Sequence, residues 1–286
     1  MKKSRHCFRC LHFRLQTVFR EFIFSNYYYF SKSFYGSVSM GANISQNTSQ
    51  MRKTYIVKLI ARCIVFALCA VMLLTCPEET EILSGMNFFQ RFSGMHLLWM
   101  LWVLDVIGQL FPTKNLPLGS QKLFVSRYRP TKQKLNYEKL RNYVIGTTKS
   151  AYKVFLIWGI LLTAIGILYY NGVLSNASLF MISVAFYVCD LICVLIWCPF
   201  RLLMKNRCCT TCRIFNWDHM MMFTPMMFID GFYSRSLLAL ALAAWILWEY
   251  SVVVYPERFW EMTNTALQCS SCTDKLCTQF CKKLRK

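Results

Sequence analysis

Long apolar stretches with almost no charge recur along this chain and alternate with compact clusters of lysine and arginine. A helix that crosses a bilayer needs roughly 20 mostly apolar residues, because its backbone polar groups must be satisfied within the segment. The pattern predicts an all-α, polytopic transmembrane helical bundle of about six membrane segments, at 55–76, 95–111, 154–170, 179–200, 220–232 and 236–255. The fifth is short and is interrupted by Pro225, so it is expected to be either a crossing or a re-entrant piece. Only 16% of the 286 residues are charged, against about 25% in a soluble domain. No stretch is left over for a separate soluble domain of useful size.

The net charge of +20 is distributed by segment. Lys114, Lys122, Arg127, Arg129, Lys132, Lys134, Lys139, Arg141, Lys149 and Lys153 share the 113–153 loop with a single acid, Glu138. Arg201, Lys205, Arg207 and Arg213 follow the fourth segment, and Lys282, Lys283, Arg285 and Lys286 end the chain. The loop after the first segment is acidic (Glu78, Glu79, Glu81), and 171–178 carries no charge. Lysine and arginine gather in cytoplasmic loops. Six segments put every basic stretch on one face and five do not, so both termini are expected in the cytoplasm, of a plasma or inner membrane in a bacterium. The lipid bilayer is the expected partner. Nucleic acid is not, because the basic residues lie between apolar segments and no aromatic–basic module accompanies them.

Three regions follow. Residues 1–50 read as a disordered or amphipathic extension, with an apolar stripe from Leu11 to Phe24 and a natural start at Met51. Residues 51–255 form the membrane domain. Residues 256–286 form a cysteine-rich tail. Within the basic loop, Leu135, Leu140, Tyr143 and Val144 have helical apolar spacing and are expected to rest on the lipid surface.

Fifteen cysteines divide into two groups. Cys63, Cys69, Cys76, Cys189, Cys193 and Cys198 lie in apolar sequence and read as small hydrophobes. Cys208, Cys209 and Cys212 follow the fourth segment, and Cys269, Cys272, Cys277 and Cys281 lie in the tail. Thiolates paired at two-residue spacing suit tetrahedral zinc or an iron–sulfur cluster, and a reducing cytosol disfavours structural disulfides. The tail could close a site alone, or Cys209 and Cys212 could join Cys269 and Cys272, with Asp218 and His219 as further ligands. S-acylation of Cys208 and Cys209 is an alternative. Cys7 and Cys10 with His12 form another pair in the extension.

Asp105 and Asp190 fall near mid-segment, and Glu249 lies in the inner part of the last one. A carboxylate at that depth costs about 2.5–3.5 kcal/mol on insertion scales and normally faces the bundle interior. The two aspartates are expected to bind a cation or relay a proton, or to pin helices by pairing with Arg62 or His96. Met220, Met221, Met222, Met226 and Met227 read as packing, because consecutive helical residues cannot present one ligand face. Trp245, Trp248, Tyr250, Tyr255 and Trp260 resemble an interfacial aromatic belt.

Phosphate-binding glycine loops, G-x-S-x-G and H-E-x-x-H are absent, and no inverted repeat is evident. Three functions are compatible with these residues. The favoured one is a non-enzymatic membrane protein with a structural or regulatory metal–thiolate site. The others are an ion or small-solute transporter or channel using the intramembrane acids, and a membrane-bound redox enzyme.

Overall fold

Helix α1 (Gln50–Thr75) begins where the Ser49 hydroxyl accepts the Arg52 N–H, and it stops at Cys76 before Pro77. A side-chain acceptor at that position satisfies one of the amide groups that a helix start leaves free. Nothing between Tyr55 and Thr75 breaks a helix, and Val57, Ile60, Val71 and Leu74 point outward. An apolar helix that hides so little of itself needs an apolar surrounding. In the computed structural model, residues 49–276 are described except 91, 114, 115, 133, 134 and 207. The expected N-terminal extension lies outside the described residues, apart from its last two, and so do Cys277 and Cys281.

Helix α2 (Gly94–Gln109) opens with a reciprocal cap: Ser93 Oγ accepts the Met95 N–H, and His96 Nδ1 accepts the Ser93 N–H at 3.1 Å. Its Nε2 then donates to the Phe88 carbonyl at 2.7 Å. His96 is occupied by this cap and is not a partner of the buried acids. The short α3 (Leu118–Gln121) precedes α4 (Tyr137–Tyr170), whose 34 residues make it far longer than one apolar segment. At 1.5 Å per residue such a helix is about 50 Å long, well beyond a hydrocarbon core. The surface helix expected near 135–144 is thus the charged first half of the helix whose second half is the third apolar segment. Tyr143 fixes that half by stacking on Trp260 and donating to the Phe259 carbonyl.

Helix α5 (Asn176–Leu195) is followed by the five-residue α6 (Phe200–Met204). Next come α7 (Asp218–Phe223) and a 3-10 turn, Thr224–Phe228, where Pro225 ends the regular helix. The long α8 (Phe232–Val254) completes the helices. Among the described residues no strand occurs, and α1, α4, α5 and α8 are the four helices long and apolar enough to cross a membrane. Most of segment 218–228 is buried instead, with Met227 exposed. Met220, Met221, Met222, Phe223 and Met226 are all core residues, which bears out packing as their role. A helix that is apolar all round is stable only when enclosed.

Two ends of the bundle are fixed by contacts between loops. At one end Gly85 and Gly231 form a parallel bridge, with Gly85 N–H donating to Asp230 O and Phe232 N–H to Gly85 O. Asn176 donates to the Ser84 hydroxyl beside them. At the other end Ser49 donates to the Asp274 carbonyl, and the Asp274 carboxylate accepts the Leu118 N–H. Lys122 donates to the Cys212 carbonyl there, and Arg129 to Thr131 pair with Thr263 to Thr265. The start of α1, the basic loop, the stretch after α5 and the tail therefore meet at one end. Between the ends, Trp102, Phe180, Phe223 and Tyr233 pack ring to ring, with Trp102 5.3 Å from Phe223 and 5.9 Å from Phe180.

A Cβ on Gly231 would lie 1.9 Å from the Leu83 carbonyl oxygen, whereas one on Gly146 meets nothing within 4 Å. Gly231→Ala is expected to cost at least about 1–3 kcal/mol through overpacking. Gly146→Ala, inside an exposed helix face, is expected to be neutral or to stabilise by up to about 1 kcal/mol. Thermal unfolding in detergent micelles compares them, and equal midpoints would show that the 85–231 bridge does not hold that end together.

Candidate functional site: a buried charge network

Arg62 is the thirteenth residue of α1, where no water can solvate it cheaply. Its guanidinium solves this by forking: Nη1 donates to Asp190 Oδ2 at 2.6 Å and to the Tyr187 carbonyl at 2.8 Å. Nη2 donates to Asp105 Oδ2 at 3.1 Å. The same group lies 3.9 Å from the Tyr187 ring centroid, a cation–π contact. Arginine suits this position because its planar fork holds two carboxylates in fixed directions. Asp105 and Asp190, on α2 and α5, are thus brought together through one side chain.

A second positive group arrives from the enclosed segment. His219 Nε2 lies 3.5 Å from Asp105 Oδ2, and its Nδ1 lies 3.3 Å from Asp218 Oδ1. Gln109 donates to the other Asp218 oxygen at 3.0 Å. Lys58, one turn before Arg62 on α1, adds a charge felt by both Asp105 and Asp190. Tyr55, Lys58 and Arg62 have the i, i+3, i+7 spacing of one helix face, so they form a polar line from the Ser49–Asp274 end to the network. Arg62 and His219 are almost fully enclosed, but Asp105 and Asp190 keep 29% and 21% of their side chains accessible.

The charges do not cancel without His219. Asp105, Asp190 and Asp218 oppose Arg62 and Lys58, leaving one negative charge that a proton on His219 neutralises. Low local dielectric makes that imbalance costly.

Glu249 belongs elsewhere. It accepts both ends of the Arg213 guanidinium at 3.1 and 2.6 Å and the Trp217 indole N–H at 2.8 Å. Trp248 is buried and donates to the Arg213 carbonyl, so it is part of this clamp rather than of a lipid-facing belt. Next to it Lys122 is buried, 5.5 Å from the Trp248 ring and 5.7 Å from the Phe259 ring. Desolvation pushes its ammonium down to about 7.

The two cysteine clusters share one end of the bundle, with Cys212 buried, Cys208, Cys209 and Cys272 half-buried and Cys269 exposed. Among the described residues, no group of three or more His, Cys, Asp or Glu is arranged to hold a metal ion. His219 and Asp218, expected as extra ligands, are members of the charge network instead. The sequence signal that could have found them was their apolar surroundings: a His–Asp pair followed at once by Met220–Phe223 is buried chemistry. The chain matches no known family model, no curated protein and no solved structure.

Arg62→Met leaves two carboxylates facing each other. It is expected to cost about 2–4 kcal/mol, somewhat below the cost of orphaning a fully buried charge because the acids are partly open. Adding Asp105→Asn and Asp190→Asn should restore more than half of that loss in denaturant unfolding. A triple variant no more stable than Arg62→Met would remove the electrostatic explanation.

Lys122 has a different signature. Its folded value lies below its ordinary value of about 10.4, so between about 7 and 10 the unfolded chain binds the extra proton. Stability should rise with pH across that window, by up to about 1.4 kcal/mol per unit, and fall as pH drops towards 7. Lys122→Met is expected to flatten that slope in unfolding measurements made from pH 7 to 10.

Proposed function

We propose that this chain is a six-segment membrane protein that moves a proton or a small monovalent cation through the Arg62–Asp105–Asp190–His219 network. The observation that carries this reading is convergence: Asp105 of α2 and Asp190 of α5 meet Arg62 of α1, and His219 of α7 links Asp105 to Asp218. With Lys58 counted beside them, the group is one positive charge short until His219 is protonated or a cation enters. A group of this kind has two states that differ by one charge, which is what a carrier or channel site needs.

Six segments are supported by the way the loops meet. Segment 218–228 runs from the end holding Cys212 to the end holding Gly231, and its neighbours enclose it, so a broken helix is tolerated there. With α1, α2, α4, α5 and α8 this makes an even number of passes. The start of α1, the basic loop and the tail then share the cytoplasmic face, in keeping with the positive-inside bias. The line of Tyr55, Lys58 and Arg62 gives the network its access from that face.

A metal–thiolate clip, with zinc or iron–sulfur, is a second reading, favoured by the common location of Cys208–Cys212 and Cys269–Cys272. Its test is metal content: zinc or iron that copurifies with the chain and falls on Cys272→Ser supports it.

Reconstitution in vesicles tests the first reading. Under an imposed pH or potassium gradient, the protein is expected to dissipate the gradient, Asp105→Asn and Asp190→Asn to slow this at least about tenfold, and His219→Gln to separate proton from cation flux. Flux equal to that of protein-free vesicles, or unchanged by both aspartate variants, would leave the network as a helix pin only.

A further inference from the structure

The aromatic core beside the charge network contains three polar atoms that apolar packing does not account for. Trp102 Nε1, Ser183 Oγ and the Tyr233 hydroxyl have no hydrogen-bond partner among the described residues, and all three residues are 0% exposed. Trp102 is their common neighbour. Its ring centroid lies 6.4 Å from that of Tyr233, and 5.9 and 6.0 Å from those of Phe180 and Tyr187. Ser183 falls three residues after Phe180 and four before Tyr187 on α5, so it shares the helix face that meets Trp102. Folded proteins leave few buried polar groups unpaired, because each such group forfeits the water it had in the unfolded chain. Three at one place in one core call for a shared partner.

The three also lie in line with the network. Ser183, Tyr187 and Asp190 have the i, i+4, i+7 spacing of one face of α5, and Trp102 is three residues before Asp105 on α2. Tyr233 belongs to the first turn of α8, at the end closed by the Gly85–Gly231 bridge. The line runs from that end to the acids, whereas Tyr55 and Lys58 approach them from the other.

We propose, resting on the transport reading, that Trp102, Ser183 and Tyr233 hold a relay water that links the Gly85–Gly231 end to the network, and that the transported species is the proton. The three groups suit one water: the indole N–H donates to its oxygen, and its two hydrogens reach the two hydroxyls. Three partners are typical of a buried water. Indole nitrogen only donates, so Trp102 is a positioning residue, while a hydroxyl both donates and accepts. A proton arriving on the Tyr233 oxygen releases that hydroxyl's own proton to the water. The water passes one of its protons to Ser183, and Ser183 gives up its own towards Asp190 along the Tyr187 face. Each O–H bond made is matched by one broken, and no oxidant, metal or cofactor enters the balance. An alkali cation would find two hydroxyls, one water and aromatic walls, too few oxygens to replace its hydration shell.

Tyr233→Phe and Ser183→Ala each remove one hydroxyl with little change in packing. In detergent, both are expected to lower the thermal unfolding midpoint of the full-length protein, because a hydroxyl satisfied through water is lost; midpoints unchanged or raised in both would overturn the water site. In vesicles under an imposed pH gradient, each variant is expected to slow proton flux at least about tenfold, and potassium flux through the unmutated protein to equal that of protein-free vesicles. Proton flux that Asp105→Asn stops and both hydroxyl variants leave intact would overturn the relay alone. An unmutated protein that moves no protons would overturn the relay together with the transport reading. Potassium flux through it would overturn the choice of the proton, and that measurement needs no variant to fold.

Discussion

One guanidinium holds this bundle in register. A cation in the middle of an apolar helix is tolerable only if it is satisfied on several sides at once, and Arg62 is satisfied by two carboxylates, a backbone carbonyl and an aromatic face. Those partners come from α2 and α5, so α1 cannot slide or rotate by a residue without stranding a charge. Dispersion and apolar packing supply most of the cohesion among Trp102, Phe180, Phe223 and Tyr233, but they discriminate poorly between registers. The fork discriminates strongly. Its cost is that the assembly is committed to a charged centre that must be balanced by something further.

That further element is the least regular part of the chain. Segment 218–228 would be unstable as a free helix, with six helical residues and a proline close behind. Enclosure by α5, α8 and the neighbouring turns supplies the stability that local propensity lacks. Breaking the helix also has a consequence for the site. A regular transmembrane helix would present one residue per turn to the network, whereas the short α7 begins at the network and places Asp218 and His219, adjacent in sequence, on either side of one contact. Irregular backbone inside a membrane protein is stable where protein surrounds it, and it is there that polar chemistry can be concentrated.

Much of this was legible in the sequence. The four long apolar helices follow from length and hydropathy, and the cost of isolated charge calls for a partner to two mid-segment acids, with Arg62 and His96 both open in the sequence. Other features were hidden for identifiable reasons. The 34-residue α4 reads as a basic loop plus a span because composition changes at Lys153 while the backbone does not. His219 reads as a metal ligand because a histidine near cysteines has that chemistry, and only tertiary packing shows it facing Asp105 instead. Cys193 reads as an apolar filler and Cys209 as part of a polar cluster, so the hydrogen bond from the Cys209 thiol to the Cys193 carbonyl crosses the very division that composition suggests. Glu249 lies in α8, and its partner Arg213 reads in sequence as an ordinary juxtamembrane cation.

Helix α5 connects these features. Asp190 faces Arg62, Tyr187 one turn earlier supplies the carbonyl and ring, and Cys193 one turn later accepts the Cys209 thiol. A change in the sulfur contacts at its end therefore bears on the same rigid element that positions the acid. At the 2.6 Å separation of the Arg62–Asp190 contact, a rotation too small to disturb the apolar packing still alters the electrostatic balance of the network.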